Sequence, residues 1–136
     1  MPVTYTDSLD GVTLDDLHGF FVGWPNPPAS EAHLRLLRGS YRVWLARDTD
    51  TGQVIGFINA TSDGVLSAFI PLLEVLPAWQ GHGIGSELVR RMLVSLSHLY
   101  AIDLICDADV QPFYARLGGR PFSAMLWRNY ERQNGA

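Results

Sequence analysis

Gly81, Gly83 and Gly85 fall within the run Gln80-Gly81-His82-Gly83-Ile84-Gly85, between an apolar stretch ending at Pro77 and an amphipathic pattern starting near Ile84. The chemistry this suits is anion binding. Glycines allow positive φ and close backbone approach, so several N–H groups can converge on phosphate oxygens. A helix that starts at Ile84 adds free donors and the positive end of its dipole. The same arrangement is also an ordinary strand-to-helix connection. Two familiar phosphate motifs do not match. A P-loop requires Gly-Lys-Ser/Thr where this chain has Gly85-Ser86-Glu87. A dinucleotide fingerprint requires a glycine at Ser86, and Asp103 or Asp107 serves poorly as its acidic partner.

The pattern that does match is Gln-x-x-Gly-x-Gly. The segment Leu73 to Leu88 resembles the acetyl-CoA-binding motif of the GCN5-related N-acetyltransferases. A second stretch, Pro112-Phe113-Tyr114-Ala115-Arg116-Leu117-Gly118-Gly119, is similar to that family's Phe-Tyr-x-x-Leu-Gly-Phe motif, with Gly119 in place of the last aromatic. The two stand in the family's order, with room between them for one helix and one strand.

The resemblance implies acetyl-CoA as cofactor and a primary amine, of a small molecule or an exposed amino group of a protein, as acceptor. Backbone groups of Leu73 and Val75 would pair with the pantetheine arm. Gln80, Gly81, His82, Gly83, Ile84, Gly85 and Ser86 would form the pyrophosphate loop. Tyr114 matches the tyrosine that in many relatives protonates the coenzyme A thiolate; read without the family, it is a helix residue capping the core beside Phe113. Positions that carry a general base in some relatives are Phe69 and Pro71 here, and neither can accept a proton. Glu74 is the nearest carboxylate on that strand. It faces the acceptor cleft as base or decorates a surface, and a mechanism without a dedicated base is the third option. Trp24, in the corner Trp24-Pro25-Asn26-Pro27-Pro28, falls where relatives build a wall of the acceptor cleft. Asp107 stands where many relatives carry an asparagine. The competing readings are a non-catalytic acyl-CoA-binding or regulatory domain and a nucleotide-binding or pure interaction module. The resemblance also implies a homodimer.

Composition narrows the class. The 136 residues are 47% hydrophobic, which suits one domain, residues 1–136, with a substantial core. The formal net charge is −4, and all ten basic residues are arginine, so no basic patch invites nucleic acid. Cys106 is the single cysteine, which excludes an internal disulfide and favours a reducing compartment. Four scattered histidines offer no metal-ligand spacing. With no secretory pattern and no apolar run of membrane-spanning length, the chain reads as cytoplasmic with no membrane partner.

The elements that must position these residues follow from periodicity. Strands are expected at 3–5, 41–46, 53–61 and 65–76, with Asp48 to Gly52 and Ser62 to Gly64 as turns. An early helix is expected where Leu14, Leu17, Phe20 and Phe21 share a face, and a second from Ser30 to about Gly39. A long helix follows from Ile84 to Leu99, a buried strand at 102–106, a short helix around Phe113, and a final strand at 122–127. Residues 131–136 read as a frayed tail. This order gives an α+β fold: a mixed, mostly antiparallel sheet with helices on both faces.

Overall fold

The computed structural model describes residues 2–136. Five strands form one sheet in chain order: β1 (Val3–Thr6), β2 (Arg42–Asp48), β3 (Val54–Ser62), β4 (Ser67–Val75) and β5 (Ala101–Asp103). The first three pairings are antiparallel and β4–β5 is parallel, as a β-α-β unit requires. Helix α1 (Ser30–Arg38) covers one face, and α2 (Ile84–Ser95) with the short α3 (Gln111–Ala115) covers the other. The α+β expectation holds.

Strand β3 lies in the middle, and its residues from Val54 to Ala60 are all buried. Such a buried run, apolar but for Asn59, is what a strand covered on both faces needs. Gly56 is glycine because α2 comes down onto it: a Cβ there would stand 3.2 Å from Leu88 Cδ1 and 3.4 Å from Ile84 Cγ2. Helix α1 buries His33, Leu34 and Leu37 along one stripe. Glu31 in its first turn and Arg35 and Arg38 in its last complement the helix dipole.

A bulge in β4 decides which way the site residues face. Asn59 pairs with Leu72 and Thr61 with Phe69, so β4 carries an extra residue across the pair Ile70-Pro71. Pro71 has no N–H to give, and a bulge is one of the few places in a sheet that tolerates it. The bulge inverts the alternation. Ala68 and Ile70 face α2 before it, while Leu73 and Val75 face α2 after it, leaving Leu72 on the α1 side.

Three expectations are corrected. The early helix is only a 3-10 turn, Asp15–Leu17, because Gly19 and Gly23 adopt positive φ (89° and 82°) and break it beyond Leu17. The final strand does not form: residues 120–129 have no regular structure and are exposed. The frayed tail is held instead. The Asn26 amide donates to Gln133 Oε1 (2.9 Å), and Arg35 Nη2 donates to the Gly135 carbonyl (2.6 Å). The polar composition of residues 131–136 suggested fraying, but these specific hydrogen bonds to the proline-rich corner and α1 tie the segment down.

Candidate active site

Strand β4 outruns its parallel neighbour. β5 pairs only with Ser67, Ala68 and Phe69, so from Ile70 to Val75 the side of β4 turned toward β5 is unpaired. The Leu76 amide donates to the Ile55 carbonyl on β3 (2.8 Å). By strand alternation the main-chain groups of Leu73 and Val75 therefore point to the open side. One of these is already used, since Gln80 Nε2 donates to the Val75 carbonyl (2.9 Å) and ties the loop to the strand.

The loop beyond is open to ligands. Gly81 and Gly83 have φ of 81° and 79°, and a Cβ at either would meet nothing within 4 Å. Backbone conformation, and not crowding, is what demands glycine at these two positions. Among the described residues, no protein acceptor is found for the amides of Gly81, His82, Gly83, Ile84, Gly85 or Ser86; the first helical bond is Glu87 N–H to the Gly83 carbonyl (3.1 Å). Six consecutive free donors at the start of a twelve-residue helix make an anion cradle. The His82 side chain turns back on the loop, its Nδ1 lying within hydrogen-bond distance of the carbonyls of Trp79 (3.1 Å) and Gln80 (3.0 Å).

Helix α3 sits beside the cradle. A Cβ on Gly85 would lie 3.5 Å from Phe113 Cζ, and the rings of Phe113 and Tyr114 meet edge to face at 4.9 Å. Tyr114 is half-buried against the α2-side core, and its hydroxyl has no hydrogen-bond partner among the described residues. Burial first, and then the neighbouring Cys106, push the phenol above its usual pKa. At neutral pH it remains protonated, as a proton donor must.

Glu74 faces the α1 side. Its Oε1 accepts from the Phe21 amide (2.7 Å) and its Oε2 from the Val22 amide (3.2 Å). Phe21 has φ of 62°, the one non-glycine residue with positive φ among the described residues. A bulky aromatic is rarely found there, so the carboxylate is holding a strained turn. Trp24, three residues on, packs on Phe21 at 4.9 Å between ring centroids.

Two adjoining pockets share Trp24 and Leu72. One, of about 340 Å³, is lined by Val22, Leu73, Glu74 and Gln80 and opens beside the cradle. The other, about 370 Å³ and mostly apolar, is lined by Phe21, Pro28, Leu36, Arg35, Gln133 and Gly135. The fold thus brings Leu73, Val75, residues 80–86, Glu74 and Trp24 together around the end of β4, with Phe113 of α3 against Gly85 and Tyr114 beside Phe113. Sequence reasoning missed Phe21, Val22, Arg35, Gln133 and Gly135. Gly19 and Gly23 flanking the aromatics signal an irregular turn, but nothing local in the polar end of the chain signals a pocket wall.

The profile of the Acetyltransferase (GNAT) family matches residues 10–119. An uncharacterized N-acetyltransferase ycf52 of Pyropia yezoensis is 30% identical over 100 residues, 71% of this chain and 58% of that protein. The chain thus spans little more than half the length of that relative. A crystal structure of a putative acetyltransferase from Deinococcus radiodurans superposes with a TM-score of 0.95 at 52% identity, covering 98% of this chain and 93% of that one. A GNAT family acetyltransferase from Streptococcus pneumoniae follows at TM-score 0.76 and 31% identity, covering 94% of this chain and 98% of that one. With the family profile spanning most of its length and the fold matched throughout, this chain belongs to the GNAT acetyltransferase family.

Proposed function

We propose that the protein transfers the acetyl group of acetyl-CoA to a primary amine, of a small molecule or an exposed protein amino group, by direct attack while both are bound. The observation that carries this reading is the run of six free amides from Gly81 to Ser86 beside the unpaired edge of β4. The fit is good: the cradle is open, and the edge offers main-chain groups at Leu73 and Val75 for an extended ligand. Acetyl-CoA would supply the thioester acetyl group.

The residues of the chain divide the remaining work. When bound, acetyl-CoA would be held by its pyrophosphate at the amides of Gly81 to Ser86 and by its pantetheine arm along the free edge of β4. The Tyr114 hydroxyl would be the proton donor to the thiolate that acetyl transfer to the amine releases. An alkylamine has a pKa of about 10, so roughly one molecule in a thousand is neutral at pH 7, and its proton must leave before attack. Glu74 and water are the acceptors for that proton at this end of the cleft. The apolar pocket behind Trp24 favours an acceptor with an apolar body whose amine points toward Glu74 and Gln80.

Calorimetry with acetyl-CoA, followed by an amine panel read by thiol release, tests the reading. Saturable binding and thiol release with at least one amine support it; no heat with acetyl-CoA overturns it. Tyr114→Phe is expected to lower kcat about 100-fold with unchanged acetyl-CoA affinity. Equal turnover across pH would remove Tyr114 from the reaction.

One observation favours a second reading, a non-catalytic acyl-CoA-binding domain. Phe69 and Pro71 cannot act as bases, and both oxygens of Glu74 already accept backbone amides. Tight acetyl-CoA binding without thiol release on any amine would select it.

A further inference from the structure

The two pockets that meet at Trp24 and Leu72 differ in what their polar side chains leave free. Apart from the Trp24 indole, which both share, the pocket beside the cradle has Glu74 and Gln80. Gln80 donates its amide nitrogen to the Val75 carbonyl (2.9 Å), so its Oε1 is the free end. The Glu74 carboxylate has lone pairs beyond those that meet the Phe21 and Val22 amides. Both groups on this side accept hydrogen bonds.

In the apolar pocket the polarity is reversed. Gln133 Oε1 receives the Asn26 amide (2.9 Å), and since only the oxygen can accept there, the NH₂ is the end left free. Arg35 donates through Nη2 to the Gly135 carbonyl (2.6 Å) and makes no ion pair among the described residues. Its other guanidinium N–H groups are donors without a protein acceptor. Between the two ends the walls are Phe21, Ala32, Leu36 and Leu72. Compensation of the α1 dipole does not explain Arg35, because it needs only a cation in the last turn, which Arg38 also supplies.

Taking these pockets as the acceptor site of the proposed acetyl transfer, on which this step rests, we infer that the acceptor is an amino acid whose amine and carboxylate stand at opposite ends of an apolar body. The amine meets Glu74 and Gln80 Oε1, the body lies over Trp24 and Leu72, and the carboxylate meets Arg35 and the Gln133 amide. A guanidinium fork matches the two oxygens of a carboxylate, and a charge-assisted bond gains strength beside apolar walls. A diamine of the same length would set its second cation against Arg35. Arg35 is thus the residue that selects the far end of the acceptor.

Thiol release with acetyl-CoA tests this on the para-aminomethyl derivatives of benzoate, phenylacetate and phenylpropanoate. Each is run beside its methyl ester, which has the same shape without the charge, and beside para-xylylenediamine. For at least one acid, kcat/KM is expected to exceed that of its ester and of the diamine about tenfold, chiefly through KM. Arg35→Gln should bring acid and ester level. Arg35→Glu should reverse the order in favour of the diamine, which loss of a merely structural arginine does not do; retained circular dichroism checks that each variant is folded. If Arg35→Glu does not fold, the wild-type ranking and Arg35→Gln decide. With coenzyme A present, so that no acetyl group can move, nuclear magnetic resonance titration with the preferred acid should shift the side-chain N–H signals of Arg35 and Gln133. Equal values for acids and esters, preference of the wild type for the diamine, an acid preference that survives Arg35→Glu, or unmoved Arg35 signals would each overturn the inference and leave acetyl transfer standing. Thiol release with no amine at all would overturn the underlying reading, and this inference with it.

Discussion

On the α2 face, Ile84, Leu88, Val89, Met92 and Leu96 meet Ile58, Ala60, Ala68 and Ile70 in a wholly apolar contact. On the α1 face, Phe20, Phe21 and Phe57 surround the imidazole of His33, neither of whose ring nitrogens has a partner. The first face supports the anion cradle and contains no buried unsatisfied side chain among the described residues. The second lines the pockets around Trp24 and carries a positive-φ phenylalanine, a tethering carboxylate and an unpaired buried ring. Departures from local rules collect where the specificity of a site is built. A shared cofactor can be held by a generic core and a glycine turn, while an acceptor particular to one enzyme must be shaped by less regular structure.

The largest expected effect tests the apolar face. Leu88 is fully buried and lies against Gly56. Leu88→Ala should cost between about 2 and 5 kcal/mol, as the removed methyls leave a cavity under α2. Denaturant unfolding measures it, and a loss below about 1 kcal/mol would mean that this face is not close-packed.

His33 sharpens the contrast. Burial lowers its pKa from 6.5 to about 4. The unfolded chain therefore binds a proton that the folded chain refuses between those values. Stability from this group is fully present above pH 6.5 and is lost as pH falls toward 4, amounting to about 3 kcal/mol. His33→Leu should flatten the pH dependence of unfolding across that window relative to the wild type. Parallel curves would show that the ring takes up its proton without disturbing the aromatic cluster.

The two faces were also unequally legible in the sequence. Strands β1 to β4, the turns between them, α1 and the start of α2 follow from short-range pattern, because alternation and glycine chemistry act over a few residues. The cradle was readable for the same reason: Gly81 and Gly83 are needed for φ, a local demand. The bulge at Ile70-Pro71 was not read, although Pro71 within an apolar strand was its signal. Without it, the β4 pattern does not show that Leu76 joins the α2-side core while Glu74 turns toward Phe21. The bonds from Glu74 to Phe21 and Val22, and from Asn26 to Gln133, link residues more than fifty positions apart. No local pattern records such pairs. The expected strand at 122–127 has strand-like residues, but among the described residues no strand of the sheet pairs with it.

A smaller effect is expected where the α1 face holds its strained turn. Glu74→Gln keeps the shape but replaces one of the two acceptor oxygens with an NH₂ group that cannot receive a backbone proton. One of the Phe21 and Val22 amides loses its partner, at about 1 to 2 kcal/mol. Acceptor KM should rise while acetyl-CoA affinity stays constant, since the cradle does not contact this turn. If kcat falls with KM unchanged, Glu74 is taking the proton and the tether is secondary.

The smallest effect distinguishes φ from space as the reason for glycine in the cradle. Gly83 has a φ of 79° with open surroundings, whereas Gly85 lies within the helix, where a Cβ would make an ordinary 3.5 Å contact with Phe113. Gly83→Ala should force about 1 kcal/mol of left-handed strain or a shift of the loop that turns amides away from the anion. Acetyl-CoA affinity should fall about tenfold, with little change in melting temperature if the loop moves in preference to bearing the strain. Gly85→Ala should leave affinity nearly unchanged and, as alanine favours helix, stabilise α2 slightly. The opposite ranking would mean that close approach of the ligand to residue 85, and not the backbone turn at 83, shapes the cradle.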